Sequence, residues 1–423
     1  MISEHEDPGT LVILANFVSP LAVDLTEAAV LRQWAEQAPR KLWLARSGDV
    51  LITPVPLSEP FRRYVFHRLG VPERSVTVIT VPDTPHLPMA QALAEHDLVE
   101  PLRALVTERP TARLLPTALD EASVALATDL RIPVVPYETG VPNPGTMRAV
   151  SAMNTKSGFR TTAQSLGLRL PHGQACTGAE LGQVTTALLA SHRRVVLKTD
   201  RSAGGHGLHF VSRGDQPPAS SPPPPESRWV VEEYVEHTRA VSAQGHATAT
   251  GVEVVYDGEM RMSGGSFAGY CSPLKDLPAR SAEELTDWTL ALGGQLAAQG
   301  YRGPYSLDLV CTQDGTLYAL ECNVRRTATT TAQAMVSRLT SGGRSVWSTG
   351  TVTAIAPMTF DEAVGHLSEA GLDFQPGESE GVLLYADRPP DGRSWRYTAL
   401  APAHTRLSEL EVRLAATLGH EVL

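Results

Sequence analysis

The chain has 423 residues, 36 basic and 46 acidic, for a formal net charge of −10 at neutral pH, and at roughly 150 residues per domain it has room for about three domains. The acidic balance argues against nucleic acid or an anionic membrane surface as a partner, and no apolar run reaches the roughly 18 residues that would cross a bilayer. Four cysteines, at 176, 271, 311 and 322, show no CxxC spacing and are too sparse for a disulfide framework or structural zinc, which suits a reducing cytoplasm, as does a stretch from Met1 to Thr10 that is acidic where a secretion signal would be basic.

Residues 11 to 135 alternate short apolar runs with amphipathic stretches. In chain order, TLVILANF predicts a strand, DLTEAAVLRQWAEQ a helix starting at Asp24, KLWLAR and VTVITV strands, MAQALAEHDLVEPLRALV a helix, and RIPVVPYE a further strand. This βαβ rhythm implies a parallel sheet covered by helices. Its first turn, ANFVSPLA, lacks the glycines of a dinucleotide site, so residues 1–145 read as a scaffold. The proline- and glycine-rich YETGVPNPGT at 137–146 marks a boundary.

Beyond it, one helix around MRAVSAMNTKSGFRTTAQSLG leads to the strands RRVVLKTD and LHFVSR, and the Pro/Ser tract at 215–227 reads as an exposed loop. RWVVEEYV, TATGVEVVYDGEMRMSGG, the helix SAEELTDWTLALGGQLAAQ and the strands PYSLDLVCTQ and LYALECNV predict an antiparallel α+β unit, with hairpin turns at YDGE and QDGT. A helix at 361–370, a hairpin of GVLLYAD with WRYTALA, and a closing helix at 405–417 form a small accessory unit. The division is 1–145, 146–235, 236–345 and 346–423. No Walker A, G-x-S-x-G or HExxH motif occurs.

Only Lys41, Lys156, Lys198 and Lys275 are lysine, against 32 arginines. An ordinary solvated positive charge is written here as arginine, so each lysine merits inspection. Lys198 ends an apolar strand that runs into a turn holding Ser202, Gly204, Gly205 and Gly207. Glycines let backbone amides approach an anion, and an ammonium is a compact charge for a phosphate oxygen. His206, in the same turn, faces solvent or the phosphate. Asp308 and Glu321 lie 13 residues apart on two strands joined by QDGT, so they can face each other across the ladder. Asn323 and Arg325 continue the parity of Glu321. Two carboxylates and an amide oxygen on one face suit Mg²⁺ shared with phosphates. Glu232 and Glu233 close another apolar strand, where the departing backbone can meet an adenine edge. Arg261, Arg302, Arg326 and Lys275 are candidates for a substrate carboxylate, and Cys322 reads as a core residue. Arginine in place of Lys156 or Lys198 should impair nucleotide use, while Lys41→Arg should be silent.

The order of these segments resembles the ATP-grasp superfamily of carboxylate-amine ligases: Lys156, Lys198 with its glycine loop, Glu232, Asp308, then Glu321-x-Asn323-x-Arg325. The resemblance covers about residues 145 to 340 and the α/β domain before them. It implies an α/β N-terminal domain, an α+β ATP-grasp fold whose two subdomains grip ATP, and a small C-terminal α+β domain. It further implies that Lys156 and Lys198 bind ATP phosphates and that Ser202, Gly204, Gly205 and Gly207 cover them. Glu232, Glu233 and Val235 would contact adenine, Asp308, Glu321 and Asn323 would hold two Mg²⁺ ions, and Arg325 would support an acyl phosphate. Arg239 stands where many relatives carry a ribose-binding acid, with Glu236 as the substitute. Within the superfamily the chain looks most like the pheganomycin-type peptide ligases, which join an amino acid, often nonproteinogenic, to the N-terminus of a peptide in antibiotic biosynthesis. The partners so implied are a carboxylate donor and a peptide or amine acceptor, with a homodimer compatible with them. A kinase of a hydroxylated substrate and a non-catalytic ATP-binding module are the alternatives.

Overall fold

The computed structural model describes residues 9–23, 28–84, 86–202, 204–205, 207–215, 223–340, 343 and 345–422. The expected helix start at Asp24, His206 and residues 216–222 of the Pro/Ser tract lie outside the described residues. The first sheet is parallel. Its centre is Leu11–Leu14, an unbroken apolar run buried on both faces. Val50–Thr53 flanks it on one side with Thr77–Thr80 beyond, and Arg113–Pro116 flanks it on the other.

Two strands expected here are absent. KLWLAR lies in a 3₁₀ helix, Ala38–Leu44, which begins with Pro39 and buries its residues on every side instead of alternately. RIPVVPYE adds only a single bridge, Leu114 to Val134, because Pro133 and Pro136 have no N–H to extend a ladder. The helix expected over 89–106 breaks into Met89–Glu95 and Val99–Thr107, with Asp97 between them in a left-handed conformation, φ 56.

The second sheet is antiparallel, in the order Gly173–Thr177, Arg228–Glu233, Arg194–Thr199, Leu208–Ser212. Helix Leu181–Ser191 covers one face, packing Leu181, Val184 and Leu188 on Val195, Leu197 and Val231. The helix expected around MRAVSAMNTKSG is two helices, Pro144–Met153 and Lys156–Ser165. Thr155 ends the run because its hydroxyl caps the second helix, accepting from Gly158 N at 3.0 Å.

The third sheet has nine strands, in the order Leu317–Asn323, Gly303–Cys311, Arg239–Ala247, Val252–Ser263, Ser266–Ser272, Val346–Ala354, Ser394–Ala401, Gly381–Leu384, with Gly419–Val422 beside Val346–Ala354. The strands set apart as an accessory unit thus hydrogen-bond into the same sheet. QDGT makes the expected turn, but YDGE does not: it lies inside the strand Val252–Ser263. Gly258 is there for close approach, since a Cβ would collide with the Tyr270 ring and the Cys271 carbonyl. Helix Ala279–Ala298 backs the central strands. The three sheets are tied together by bonds far apart in sequence, among them Arg326 N to Thr117 O at 2.9 Å and Trp43 Nε1 to Tyr385 O at 3.0 Å.

Candidate active site

A cavity of about 1020 Å³ opens where the three sheets meet. Its polar centre begins with the two lysines. Lys156 occupies the first turn of helix Lys156–Ser165, and Asp200 holds that turn against the end of strand Arg194–Thr199 by accepting from Lys156 N at 2.9 Å through its carbonyl and from Ser157 N at 2.8 Å through its side chain. The Lys156 ammonium donates to Ser202 O and Oγ at 3.1 and 3.0 Å and stands 3.4 Å from Glu321. Burial lowers its pKa, against the pull of Glu321. Lys198, inside its strand, meets Glu232 at 2.5 Å. The other Glu232 oxygen accepts from Arg160 at 2.7 Å, so one buried carboxylate is shared by two cations.

On the facing sheet, the strand register sets Asp308 opposite Glu321 and Ser306 opposite Asn323. Asp308 accepts from Ser242 Oγ at 2.6 Å and from Asn323 Nδ2 at 2.9 Å. Burial and the negative charge of Glu321 push its carboxyl up to about 7. Burial alone would raise Glu321 as well, but Lys156, Lys198 and Arg325 outweigh it and hold Glu321 below its ordinary value. Two crowded carboxylates are donors that a hard divalent cation satisfies; Asn323, whose amide nitrogen faces Asp308 while its oxygen accepts from Arg325, adds an oxygen to them only if its amide turns. Among the described residues no third His, Cys, Asp or Glu joins them. Arg325 donates to Asn323 and, at 2.6 Å, to Asn154 Oδ1, which also accepts from Val324 N at 3.1 Å. Burial pushes the Cys322 thiol well up, in keeping with a core position.

The expected site residues do not all converge. Ser202, Gly204, Gly205, Glu232, Glu233 and Val235 line the cavity with the two lysines, Asp308, Glu321, Asn323 and Arg325. Gly207, φ 70, is not among the lining residues. Glu233 is tied by its carboxylate to His172 N at 2.8 Å and His192 at 3.1 Å. Glu236 is exposed and off the cavity wall, and Arg239 is paired with Glu259 at 2.7 Å. Of the four residues suggested for a substrate carboxylate, Arg261 pairs with Glu411 at 2.6 Å, Arg302 caps the Ala297 carbonyl at 3.1 Å, Lys275 is exposed and off the wall, and Arg326 lines it. Gly205, φ 90, packs so closely on the turn at Gly265 and Ser266 that no Cβ would fit. The glycine loop thereby touches the third sheet across the cavity mouth.

Several participants were not foreseen. Asn154, Arg160, Asp200 and Ser242 position the charged groups, yet each is a common residue in an ordinary helix or strand. The first sheet is also more than scaffold. Asn16 and Phe17 follow its central strand, Thr117 and Ala118 follow the neighbouring strand, and all four line the cavity. They sit where the connections leave the central strand in opposite directions, the crevice at which open parallel sheets bind ligands.

A family model described as the Pre ATP-grasp domain matches residues 38–132. The L-propargylglycine–L-glutamate ligase of Streptantibioticus cattleyicolor is 27% identical over 437 residues, covering 90% of this chain and 88% of that protein. Among solved structures, N5-carboxyaminoimidazole ribonucleotide synthetase from Thermus thermophilus aligns with a TM-score of 0.60 at 14% identity, over 97% of this chain and 99% of that one. Biotin carboxylase of Campylobacter jejuni, in a β-γ-ATP complex, aligns with a TM-score of 0.60 at 13% identity, over 98% and 92% of the two chains. The chain shares the fold of these enzymes from the first parallel sheet to the last strands, and its residues 38–132 match the Pre ATP-grasp domain.

Proposed function

We propose that this chain is an ATP-dependent carboxylate–amine ligase that makes an amide through an acyl phosphate. The observation that carries this reading is the convergence of Lys156, Lys198, Asp308, Glu321, Asn323 and Arg325 on one cavity. The ammonium groups of Lys156 and Lys198 receive phosphate oxygens, and the glycine loop covers them. The backbone around Val235 meets adenine. Asp308, Glu321 and Asn323 are the residues that would hold Mg²⁺, two ions in this reading, and the metal there supplies charge neutralisation at the phosphates. A substrate carboxylate oxygen attacks the γ-phosphorus and ADP leaves. Arg325, fixed by Asn154 and Asn323, steadies the acyl phosphate. An amine then attacks the acyl carbon, phosphate departs, and the amine proton passes to solvent. No serine or cysteine nucleophile takes part.

The finer reading is a ligase joining two amino acids, or an amino acid and a peptide, in natural-product biosynthesis. It is supported by a relative named for the ligation of L-propargylglycine and L-glutamate. Mass spectrometry after incubation with ATP, Mg²⁺ and pooled amino acids and dipeptides tests both levels. The expected product has the mass of acid plus amine less one water, with ADP release dependent on both. A phosphate ester formed from a single acceptor would overturn the ligase reading in favour of a kinase.

A further inference from the structure

The nucleotide groups occupy only part of the cavity. One residue beyond Arg325 the wall changes character. Arg326, Thr327, Ala328 and Thr329 line it, and the last three form the N-terminal end of the 12-residue helix Ala328–Leu339, whose dipole favours an anion although a Thr327–Thr330 capping box takes up the N–H groups of Thr327 and Thr330. Arg40, from the 3₁₀ helix, and Arg396, from the strand Ser394–Ala401, complete this end. Arg40 is only 3% exposed. Its guanidinium lies 4.5 Å from the centre of the Phe17 ring and donates to Gln37 Oε1 at 2.7 Å, while Nε has no hydrogen-bond partner.

These charges lack counter-ions. Arg40, Arg326, Arg396 and the neighbouring buried Lys41, which is held by Thr331 Oγ1 at 2.8 Å, make no ion pair with any described carboxylate. Glu36 is the acid whose field reaches Arg396. Burial pushes Arg40 down to about 10, with Arg396 adding to the effect, and it lowers Lys41 well below the usual range, with Arg40 and Arg326 adding. Arg40 and Lys41 are buried, Arg326 half-buried and Arg396 exposed; holding the two buried cations away from water without an anion is costly, and Arg40, Arg326 and Arg396 face a cavity that a substrate must enter.

We propose that Arg40, Arg326 and Arg396, with the N-terminus of helix Ala328–Leu339, form a subsite for a substrate carboxylate that does not itself react. The inference rests on the ligase reading and narrows it: one substrate carries a free carboxylate remote from the amide being made. That group is either the second carboxylate of a dicarboxylic acyl donor or the C-terminal carboxylate of the amine acceptor.

Isothermal titration of the full chain in the presence of ADP tests this with two pairs of probes. Glutarate against glutaramate represents the donor, and glycylglycine against glycylglycinamide the acceptor. In one arm the carboxylate form should bind about tenfold or more tighter than its amide, as the loss of a charge-assisted hydrogen bond predicts. Arg40→Gln and Arg396→Gln should each remove that preference while ADP affinity stays unchanged. Arg396 is exposed, so its variant keeps the test valid if the Arg40 variant folds poorly. The subsite is refuted if neither pair discriminates, or if the preference survives in the folded variants. If it is present and arginine-dependent but no amide product forms, the ligase reading fails and the subsite stands.

Discussion

Lys198 has two possible duties, binding phosphate or balancing Glu232, and paired substitutions separate them. The buried carboxylate of Glu232 is held by Lys198 at 2.5 Å and by Arg160 at 2.7 Å, so two cations share one anion. Glu232→Gln would leave both cations without a counter-charge, and breaking a buried pair in this way costs about 3–5 kcal/mol. Lys198→Met removes the surplus cation, keeps the Arg160 pair and replaces the ammonium with an apolar chain of similar length. Its expected cost is smaller than that of Glu232→Gln, since Arg160 still balances the carboxylate. Activity should move the other way in sensitivity. Losing one preorganised cation at a transferring phosphoryl group should slow ATP turnover by about 10²-fold or more, so Lys198→Met should be stable and nearly inactive. Amide hydrogen exchange across Arg194–Thr199 and Arg228–Glu233 reads the stability of this sheet, and ADP release reads activity. If Lys198→Met loosened the sheet as much as Glu232→Gln while keeping most of its turnover, Lys198 would be a structural partner of Glu232 and its assignment to phosphate would be wrong.

Glu321→Gln should leave the fold intact yet lower ADP release by about 10²-fold or more, and near-normal turnover in the folded variant would contradict the site. Gly205→Ala combines φ 90 with a collision at Gly265 and Ser266, so it should raise the KM for ATP more than it changes thermal stability; the reverse split would place the loop outside nucleotide binding. His246 is held down to about 3 from 6.5, chiefly by burial. Between those values the unfolded chain takes up a proton that the folded chain does not, so its contribution destabilises as pH falls from 6.5 and vanishes above it, with a slope of up to about 1.4 kcal/mol per pH unit. His246→Gln should therefore flatten the acid side of a denaturation-midpoint profile, and parallel profiles for the two proteins would refute this. Lys41→Arg, expected from the sequence to be silent, should instead destabilise by about 1–3 kcal/mol, because Lys41 is 1% exposed between the Phe17 ring and Thr331 and a larger group overpacks such a site; an unchanged melting temperature would count against that packing.

What was legible in the sequence was whatever has a period or a spacing. The hairpin of Asp308 and Glu321 could be read because 13 residues and a QDGT turn allow the two to face each other, and they do, by way of a bulge between Asp308 and Leu309 that the sequence did not announce. Lys198 stood out at the end of an apolar strand before a glycine turn. Errors came where two periods compete. KLWLAR has β-like alternation but follows a proline and is buried on all sides, and YDGE has turn composition but sits where Tyr270 requires a glycine within a strand.

The substrate end of the cavity was illegible for a different reason. Arg40 is one of 32 arginines and carries no motif; it becomes unusual only once Phe17, near it in sequence, and Tyr385, hundreds of residues away, stack on it and the charge of Arg396 reaches it. Reading lysine as the informative cation picked out Lys156 and Lys198, which both line the cavity, and was misleading for Lys41, which the fold uses inside its core. Among the arginines the sequence singled out Arg326, which lines the cavity, but also Arg261 and Arg302, and it missed Arg40 and Arg396, although a guanidinium is the group that grips a carboxylate in two places. In a chain that writes nearly every positive charge as arginine, the cations that matter for a carboxylate substrate are hidden among the ordinary ones. Arg40 is told apart by burial without a counter-ion, and Arg326 and Arg396 only by the cavity they share with it.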